Sequence, residues 1–219
     1  MKKAMALLMA LWMVLIMTGC GMGRAGDTAA GEMATTGENT GGTSPATGAE
    51  TGDTTAGETG RAVVVYFSRT NNTAKIAGYI AEITGAAQYA IVAKQPYTDA
   101  DINYNNADSR TSKEQNDPAA RPEMGGEPLD LAGYDTVYLG YPIWWGQAPK
   151  ILYTFVESQN LAGKTVVPFC TSASSGVGQS AVNLAKSAPD ARWLAGKRFA
   201  GTAGKNEVNE WLAALWARG

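Results

Sequence analysis

The feature that most constrains the fold of this chain is an apolar run that stops abruptly at a polar loop. Residues 62–67 (Ala-Val-Val-Val-Tyr-Phe) are typical of a buried strand, and a helical pattern with Ile76, Ile80 and Ile83 on one face follows the loop. A strand, a tight loop and a helix N-terminus leave backbone N–H groups unpaired. These groups and the helix dipole together attract an anion. The sequence therefore predicts a phosphate site at residues 68–73.

The side chains of this loop suit the same ligand. The serine and threonine hydroxyls can donate to phosphate oxygens, and Asn71 or Asn72 can cap the helix that follows. Arg69 has two interpretations, a contact with the phosphate or a position in solvent. The predicted phosphate-binding residues are Ser68, Arg69, Thr70, Asn71, Asn72 and Thr73.

The N-terminal segment predicts export and anchoring. Met-Lys-Lys precedes an apolar run from Ala4 to Met17 that is too short to span a bilayer comfortably, as in a signal peptide over residues 1–19. The run ends in Met-Thr-Gly-Cys and resembles the lipobox of bacterial lipoproteins, although Met17 replaces the usual leucine. The resemblance implies lipidation of Cys20 and a membrane anchor at the extracytoplasmic face. The alternative is an ordinary signal peptide or a weak membrane helix with an incidental cysteine.

Residues 20–60 are expected to tether the rest of the chain to that anchor. Beyond Cys20 the segment is mostly Gly, Thr, Ala and Glu and contains no aromatic residue, so it cannot bury a core. A flexible chain of this length has a root-mean-square reach on the order of 35 Å. We predict a disordered segment that holds a folded domain away from the membrane.

Residues 61–219 have the length of one domain, and their composition excludes several functions. They contain 15 Lys and Arg against 14 Asp and Glu, with no basic patch, which argues against a nucleic-acid partner. The chain has no histidine, so histidine-dependent nucleophiles and the commonest zinc sites are excluded. Cys170 alone cannot hold an iron–sulfur cluster. No metal site and no catalytic side chain are predicted, and an organic cofactor is expected to carry any chemistry.

Strands and helices are predicted to alternate along this domain. This order favours a parallel sheet with helices on both faces, whose ligands bind at the carboxyl ends of the strands. A long polar segment, residues 93–131, is predicted to cross one end of the sheet. The predicted strands are residues 62–67, 88–92, 136–140 and 165–170, with a short, weaker strand within 192–199. The predicted helices are 73–84, 149–158, 178–187 and a final one that Asn206 caps and that has Val208, Trp211, Leu212, Leu215 and Trp216 on its buried side.

Two further loops follow predicted strands and complete a candidate site. With residues 68–73 as the first loop, these are the second and the third. The adjacent tryptophans of the second loop predict either a flat apolar wall for a planar ring or simple core packing. The third loop has small, donor-rich residues that could hold the polar edge of a heterocycle or merely cap a helix. The candidate residues are Pro142, Ile143, Trp144, Trp145 and Gly146 in the second loop and Thr171, Ser172, Ser174, Ser175 and Gly176 in the third.

Together the three loops resemble those of the flavodoxin family. Residues 68–73 are similar to its phosphate loop, usually Thr/Ser-x-Thr-Gly-Asn-Thr, and the chain also carries Tyr-Pro-x-Trp-Trp-Gly at 141–146 and Phe-Cys-Thr at 169–171. The resemblance covers residues 61–219. It implies a three-layer α/β fold with a five-stranded parallel sheet in the order 2-1-3-4-5. It also implies one FMN, with its phosphate at 68–73 and its ring between the other two loops.

Three departures from the family pattern bear on the expected site. Asn71 replaces a glycine, and asparagine tolerates the left-handed conformation better than most residues. The third loop lacks a second stacking aromatic residue, so the outer face of the ring is expected to be open or covered by Tyr97 or Tyr104. Gly146 is expected to reorient its peptide at the ring between redox states, since glycine accepts both orientations.

The resemblance implies an FMN-binding oxidoreductase or electron-transfer protein. As a reductase it would act on small planar acceptors such as quinones, and as a carrier it would pass single electrons between proteins. The near-neutral domain favours the reductase, because electron-shuttle flavodoxins usually dock through strong acidic charge. A surface binding module that has lost the flavin is the alternative from another class.

Overall fold

The computed structural model describes residues 61–217. The signal peptide predicted at 1–19, the predicted lipidation of Cys20 and the tether predicted over 20–60 lie outside the described residues. Within 61–217, no helix is long and apolar enough to cross a bilayer.

A parallel sheet forms the centre of the domain. Its strands lie in the order β2-β1-β5-β6-β7, and β8 also pairs with β6, so the predicted order 2-1-3-4-5 is confirmed. Two short strands, β3 and β4, form a separate antiparallel pair. The strands are β1 (Ala62–Tyr66), β2 (Ala87–Ala90), β3 (Val92–Ala93), β4 (Met124–Gly125), β5 (Thr136–Pro142), β6 (Thr165–Thr171), β7 (Arg192–Trp193) and β8 (Lys197–Phe199). The helices are α1 (Asn72–Thr84), α2 (Arg110–Asn116), α3 (Lys150–Ser158), α4 (Ser180–Ala185) and α5 (Lys205–Trp216).

Both faces of the sheet are buried, which explains why β1 is almost continuously apolar. Val63 and Val65 point to one core, which α3, α4 and the 93–131 segment cover. Val64 points to the other core, beneath α1 and α5. The three layers bring the carboxyl ends of β1, β5 and β6 to one edge.

The last strand differs from its prediction because a bulge divides it. Trp193 pairs with Val166 and Lys197 with Phe169, so the edge strand has one more residue than β6 between the two pairs. Pro168 lies in this gap of β6 and has no N–H to offer a ladder. The strand predicted within 192–199 is therefore two short strands.

The ends of two helices also correct the sequence predictions. Gly204, not Asn206, is the N-cap of α5, and no side chain caps that helix. Trp216, predicted on the buried side of this helix, is 38% exposed, and its indole N–H donates to the Tyr138 hydroxyl. The helix predicted at 178–187 is confined to α4, residues 180–185.

A close approach inside the sheet generates a stability prediction. A Cβ built on Gly140 of β5 would lie 2.2 Å from the buried ring of Phe169 on β6. We expect Gly140→Ala to destabilise the domain by about 1–3 kcal/mol, the usual cost of overpacking. Urea unfolding measures this change. Gly78→Ala is the matched control on α1, where no atom lies within 4 Å of the added carbon and a gain of about 0.5–1 kcal/mol is expected. Equal stability of the Gly140→Ala variant and the wild type would contradict the packing described.

Candidate functional site

Direct hydrogen bonds join the three predicted loops at the carboxyl edge of the sheet. The buried hydroxyls of Thr73 and Thr171 lie 2.8 Å apart and link the first loop to the third. The backbone N–H of Ile143 donates to the Thr171 carbonyl at 3.0 Å, which links the second loop to the same residue. The structure thus brings together residues that are about a hundred positions apart in sequence.

The first loop offers a row of unused backbone donors. None of the N–H groups of residues 68–73 donates to an oxygen of the residues that the structure describes. The next N–H, that of Ala74, donates to the Ser68 hydroxyl oxygen at 3.2 Å, so Ser68 is the side chain that caps α1. Asn71 is the N-cap residue of α1, as predicted, but its side chain makes no capping hydrogen bond. The row of donors matches an anion at the helix N-terminus.

Asn71 occupies the left-handed conformation, with φ of 61°. This is the conformation that the usual glycine of such a loop would adopt without steric cost, and asparagine tolerates it better than most residues. The loop therefore keeps a turn that exposes its N–H groups.

Arg69 is bound to the 93–131 segment. Its Nε donates to the Tyr97 carbonyl at 2.7 Å, and its guanidinium pairs with Asp99. The side chain therefore does not lie free in solvent, and its predicted contact with a phosphate stays a prediction. It connects the first loop to the 93–131 segment.

The second loop is a tight turn of unusual composition. Trp144 and Gln147 exchange backbone hydrogen bonds at 2.9 Å, and both central residues have positive φ, 49° at Trp145 and 72° at Gly146. This is the pattern of a type I′ turn, which normally carries Asn-Gly. A bulky residue in the first central position costs on the order of 1–3 kcal/mol, and such strain is concentrated at functional sites.

The two tryptophans have different environments. Trp144 is 5% exposed and packs edge-on against Phe67 and Tyr97, so the core interpretation holds for it. Trp145 is partly exposed, and Tyr104 stacks on it with ring centroids 4.2 Å apart. Tyr97 is buried, and burial together with the hydrogen bond to Glu114 raises the pKa of its hydroxyl. Trp145 is the tryptophan that remains available to a ligand.

The geometry of Trp145 bears on one of the two peptides of Gly146. Reorienting the peptide between them would turn ψ of Trp145 by about half a turn while its φ stays positive. For a side chain other than glycine, positive φ is allowed only in the small left-handed region. Trp145 therefore opposes reorientation of the peptide that joins it to Gly146. It does not restrict the peptide that joins Gly146 to Gln147, and reorientation there stays a prediction.

Arg198, which the sequence analysis did not identify, supports the third loop through hydrogen bonds. Arg198 on β8 donates to the Ser172 carbonyl at 2.9 Å and also contacts the Ser172 hydroxyl and the Ala173 carbonyl. Ser172 in turn donates to the Ser175 carbonyl, so its hydroxyl is engaged within the loop. Ser174, Ser175 and Gly176 are exposed at the rim.

Further positioning residues come from distant segments. Lys75 donates to the Gly201 carbonyl, and a Cβ on Gly201 would lie 3.0 Å from the Asn72 side chain, so the β8–α5 connection packs on the first loop. Gln115 donates to the Ala148 carbonyl, and Asn183 donates to the Gln147 side chain at 2.9 Å. No local sequence pattern indicates these contacts.

Cys170 lies beneath the site but takes no part in it. It is fully buried, and burial raises the pKa of its thiol to about 12. The thiolate is therefore scarce at neutral pH, and the packing interpretation is the one the structure supports. No cluster of potential metal ligands occurs in the part of the chain described here.

With this fold and site in place, comparison with known proteins identifies the class. The sequence profile of the flavodoxin family matches residues 61–215, and the chain belongs to that family. No curated protein matches it.

Solved structures agree with this assignment. A candidate flavoprotein from Bacteroides eggerthii is 42% identical over 71% of this chain and 97% of its own, with a TM-score of 0.67. A second candidate flavoprotein, from Bacteroides uniformis, is 39% identical over 70% of this chain and 98% of its own, with a TM-score of 0.68. A flavoprotein from Lactobacillus acidophilus, solved in complex with FMN, shares the fold with a TM-score of 0.54. It is 22% identical over 70% of this chain and 99% of its own.

Proposed function

We propose that this protein is an FMN-dependent oxidoreductase that reduces small planar acceptors such as quinones. The observation that carries the proposal is the row of free backbone N–H groups at residues 68–73, at the edge where the other two loops meet. When bound, FMN supplies electron transfer in one- or two-electron steps, and the protein supplies binding and orientation.

The donor set of the first loop fits a phosphate group. The loop N–H groups and the Thr70 hydroxyl would hold the phosphate at the N-terminus of α1, which needs no cationic side chain. Arg69 would act at a distance, since its bonds to Tyr97 and Asp99 fix the loop against the 93–131 segment.

The other two loops fit the polar and apolar parts of a planar ring. Trp145 supplies an exposed aromatic surface, and the N–H groups of residues 173–176 donate to no oxygen within residues 61–217. Because Tyr104 already stacks on Trp145, it would support that indole from the side away from the ring. The outer face of the ring would then be open to a small acceptor.

The charge of the rim supports a small neutral acceptor over a protein partner. Across residues 68–73, 142–146 and 171–176 the only charged residue is Arg69, and Asp99 neutralises it. Protein electron carriers rely on charged surfaces to dock quickly and specifically. The electrons would come from a reduced nicotinamide or from a donor in the membrane.

The proposal includes a location outside the cytoplasmic membrane, through a lipid on Cys20. Its support is the sequence of residues 1–20, a short apolar run after two lysines that ends in a lipobox-like motif. We expect cells fed a labelled fatty acid to label the full chain and not its Cys20→Ala variant. Equal labelling of both chains, or of neither, would contradict the anchor.

Titration with FMN and riboflavin tests the cofactor. Residues 53–219 are suitable because both cores lie within them and the solved relatives consist almost entirely of the matched region. We expect stoichiometric FMN to quench flavin and tryptophan fluorescence. Riboflavin lacks the phosphate and should bind about a hundredfold more weakly, since two hydrogen bonds to a charged group are worth about 3 kcal/mol. Equal affinity for the two would contradict the phosphate site. Binding of neither would contradict the proposed FMN cofactor.

The stack between Tyr104 and Trp145 generates a second prediction. Tyr104→Ala removes the support of a strained turn, and we expect FMN to bind about three- to tenfold more weakly, the value of an aromatic pair. Tyr104→Phe keeps the ring and should bind FMN as the wild type does. Near-ultraviolet circular dichroism of the flavin-free protein checks that only the alanine variant loses the stacked pair. Unchanged FMN affinity in Tyr104→Ala would show that the stack plays no part in binding.

A further inference from the structure

A second cavity lies at the opposite edge of the sheet from the loops described above. Its volume is about 570 Å³, within the usual range for small-molecule sites. Tyr138 and Thr136 line it near the start of β5, whereas the candidate FMN site follows the end of that strand. Seven residues of strand span about 20 Å, so one ligand would not fill both places.

Arg61 brings a positive charge to this cavity. Its guanidinium lies over the Tyr134 ring, 5.2 Å from the centroid. A Cβ on Gly133 would lie 2.7 Å from the same guanidinium, so the glycine provides the space in which it rests. No carboxylate of residues 61–217 forms an ion pair with Arg61, and no acidic residue lines the cavity.

Tyr138 brings an unused donor. The residue is 2% exposed, and its hydroxyl oxygen accepts the indole N–H of Trp216 at 3.0 Å. Among the described residues no oxygen accepts the proton of the Tyr138 hydroxyl. A ligand oxygen in the cavity would be an acceptor for this hydroxyl.

The remaining walls are mixed, with Thr84 and Thr136 beside apolar and aromatic residues. Ile83, Ala86 and Ala87 line one part, and the exposed indole of Trp216 closes another. A ligand that satisfies this lining has an anionic oxygen group at one end and an apolar body.

We infer that this cavity is a second binding site, for a small amphipathic anion such as an aliphatic carboxylate. The anionic group would lie between Arg61 and the Tyr138 hydroxyl, and the apolar body would lie along Trp216 and Ile83. The inference does not depend on FMN, since none of these residues belongs to the three loops. A soluble carboxylate and the headgroup region of an anionic lipid share this chemistry.

Titration of ¹⁵N-labelled residues 53–219 with decanoate, followed by NMR, tests the site. The indole signal of Trp216 is assigned by its loss in Trp216→Phe. We expect a saturable shift of this signal, while decanol, which lacks the charge, should bind about tenfold more weakly. A shift that does not saturate, or equal affinity for decanol, would overturn the inference. FMN affinity measured in saturating decanoate should be unchanged, so failure here is distinct from failure of the FMN proposal.

Two variants and one control locate the anion. Arg61→Gln should weaken decanoate binding about tenfold, and Gly133→Ala should weaken it without removing a charge, because the new methyl displaces the guanidinium. Arg192→Gln removes the same charge from a neighbouring cavity and should have no effect. If Arg192→Gln weakens binding as much as Arg61→Gln does, the effect is general electrostatics and the site is refuted.

Vesicles distinguish the two sources of the anion. If phosphatidylglycerol vesicles, and not phosphatidylcholine vesicles, compete with decanoate in an Arg61-dependent manner, the ligand is a lipid. If decanoate binds and neither vesicle competes, the ligand is a soluble carboxylate.

Discussion

The hydroxyl pair of Thr73 and Thr171 is the contact on which the candidate site depends. The two residues come from the start of α1 and the end of β6, and their 2.8 Å contact is buried. A buried hydroxyl without a partner costs about 1–3 kcal/mol, so each residue holds the other in place. Thr171 also accepts the N–H of Ile143 through its carbonyl, and one residue thereby fixes the relative positions of all three loops.

The 93–131 segment completes this arrangement from above. It contacts the first loop through Arg69, and it contacts the second through Gln115 and the stacked ring of Tyr104. A segment of this length would cost much conformational entropy if it served only as a connection. Its bonds to two loops make it part of the site's support.

The sequence predicted the features that local patterns determine. The valines of β1, the isoleucines of α1 and the turn at Asn71 each follow from periodicity or backbone preference, and together they place the 68–73 loop between β1 and α1. The partners of Arg69, the role of Arg198 and the burial of Trp144 depend on segments 25 or more residues away. No local preference encodes such contacts, and the bulge opposite Pro168 likewise appears only when β6 and the edge strand are paired.

At Trp145, the left-handed backbone conformation and the proposed contact with a ligand favour different residue types. Asparagine would suit the turn better and would stabilise the folded chain, but it would remove the indole that the proposed ligand contacts. A protein that keeps tryptophan there accepts a lower folding stability in exchange for a rigid aromatic surface, which is the usual compromise between stability and activity. The compromise also makes the loop hard to deform, so the site would be formed before its ligand arrives and would not be shaped by it.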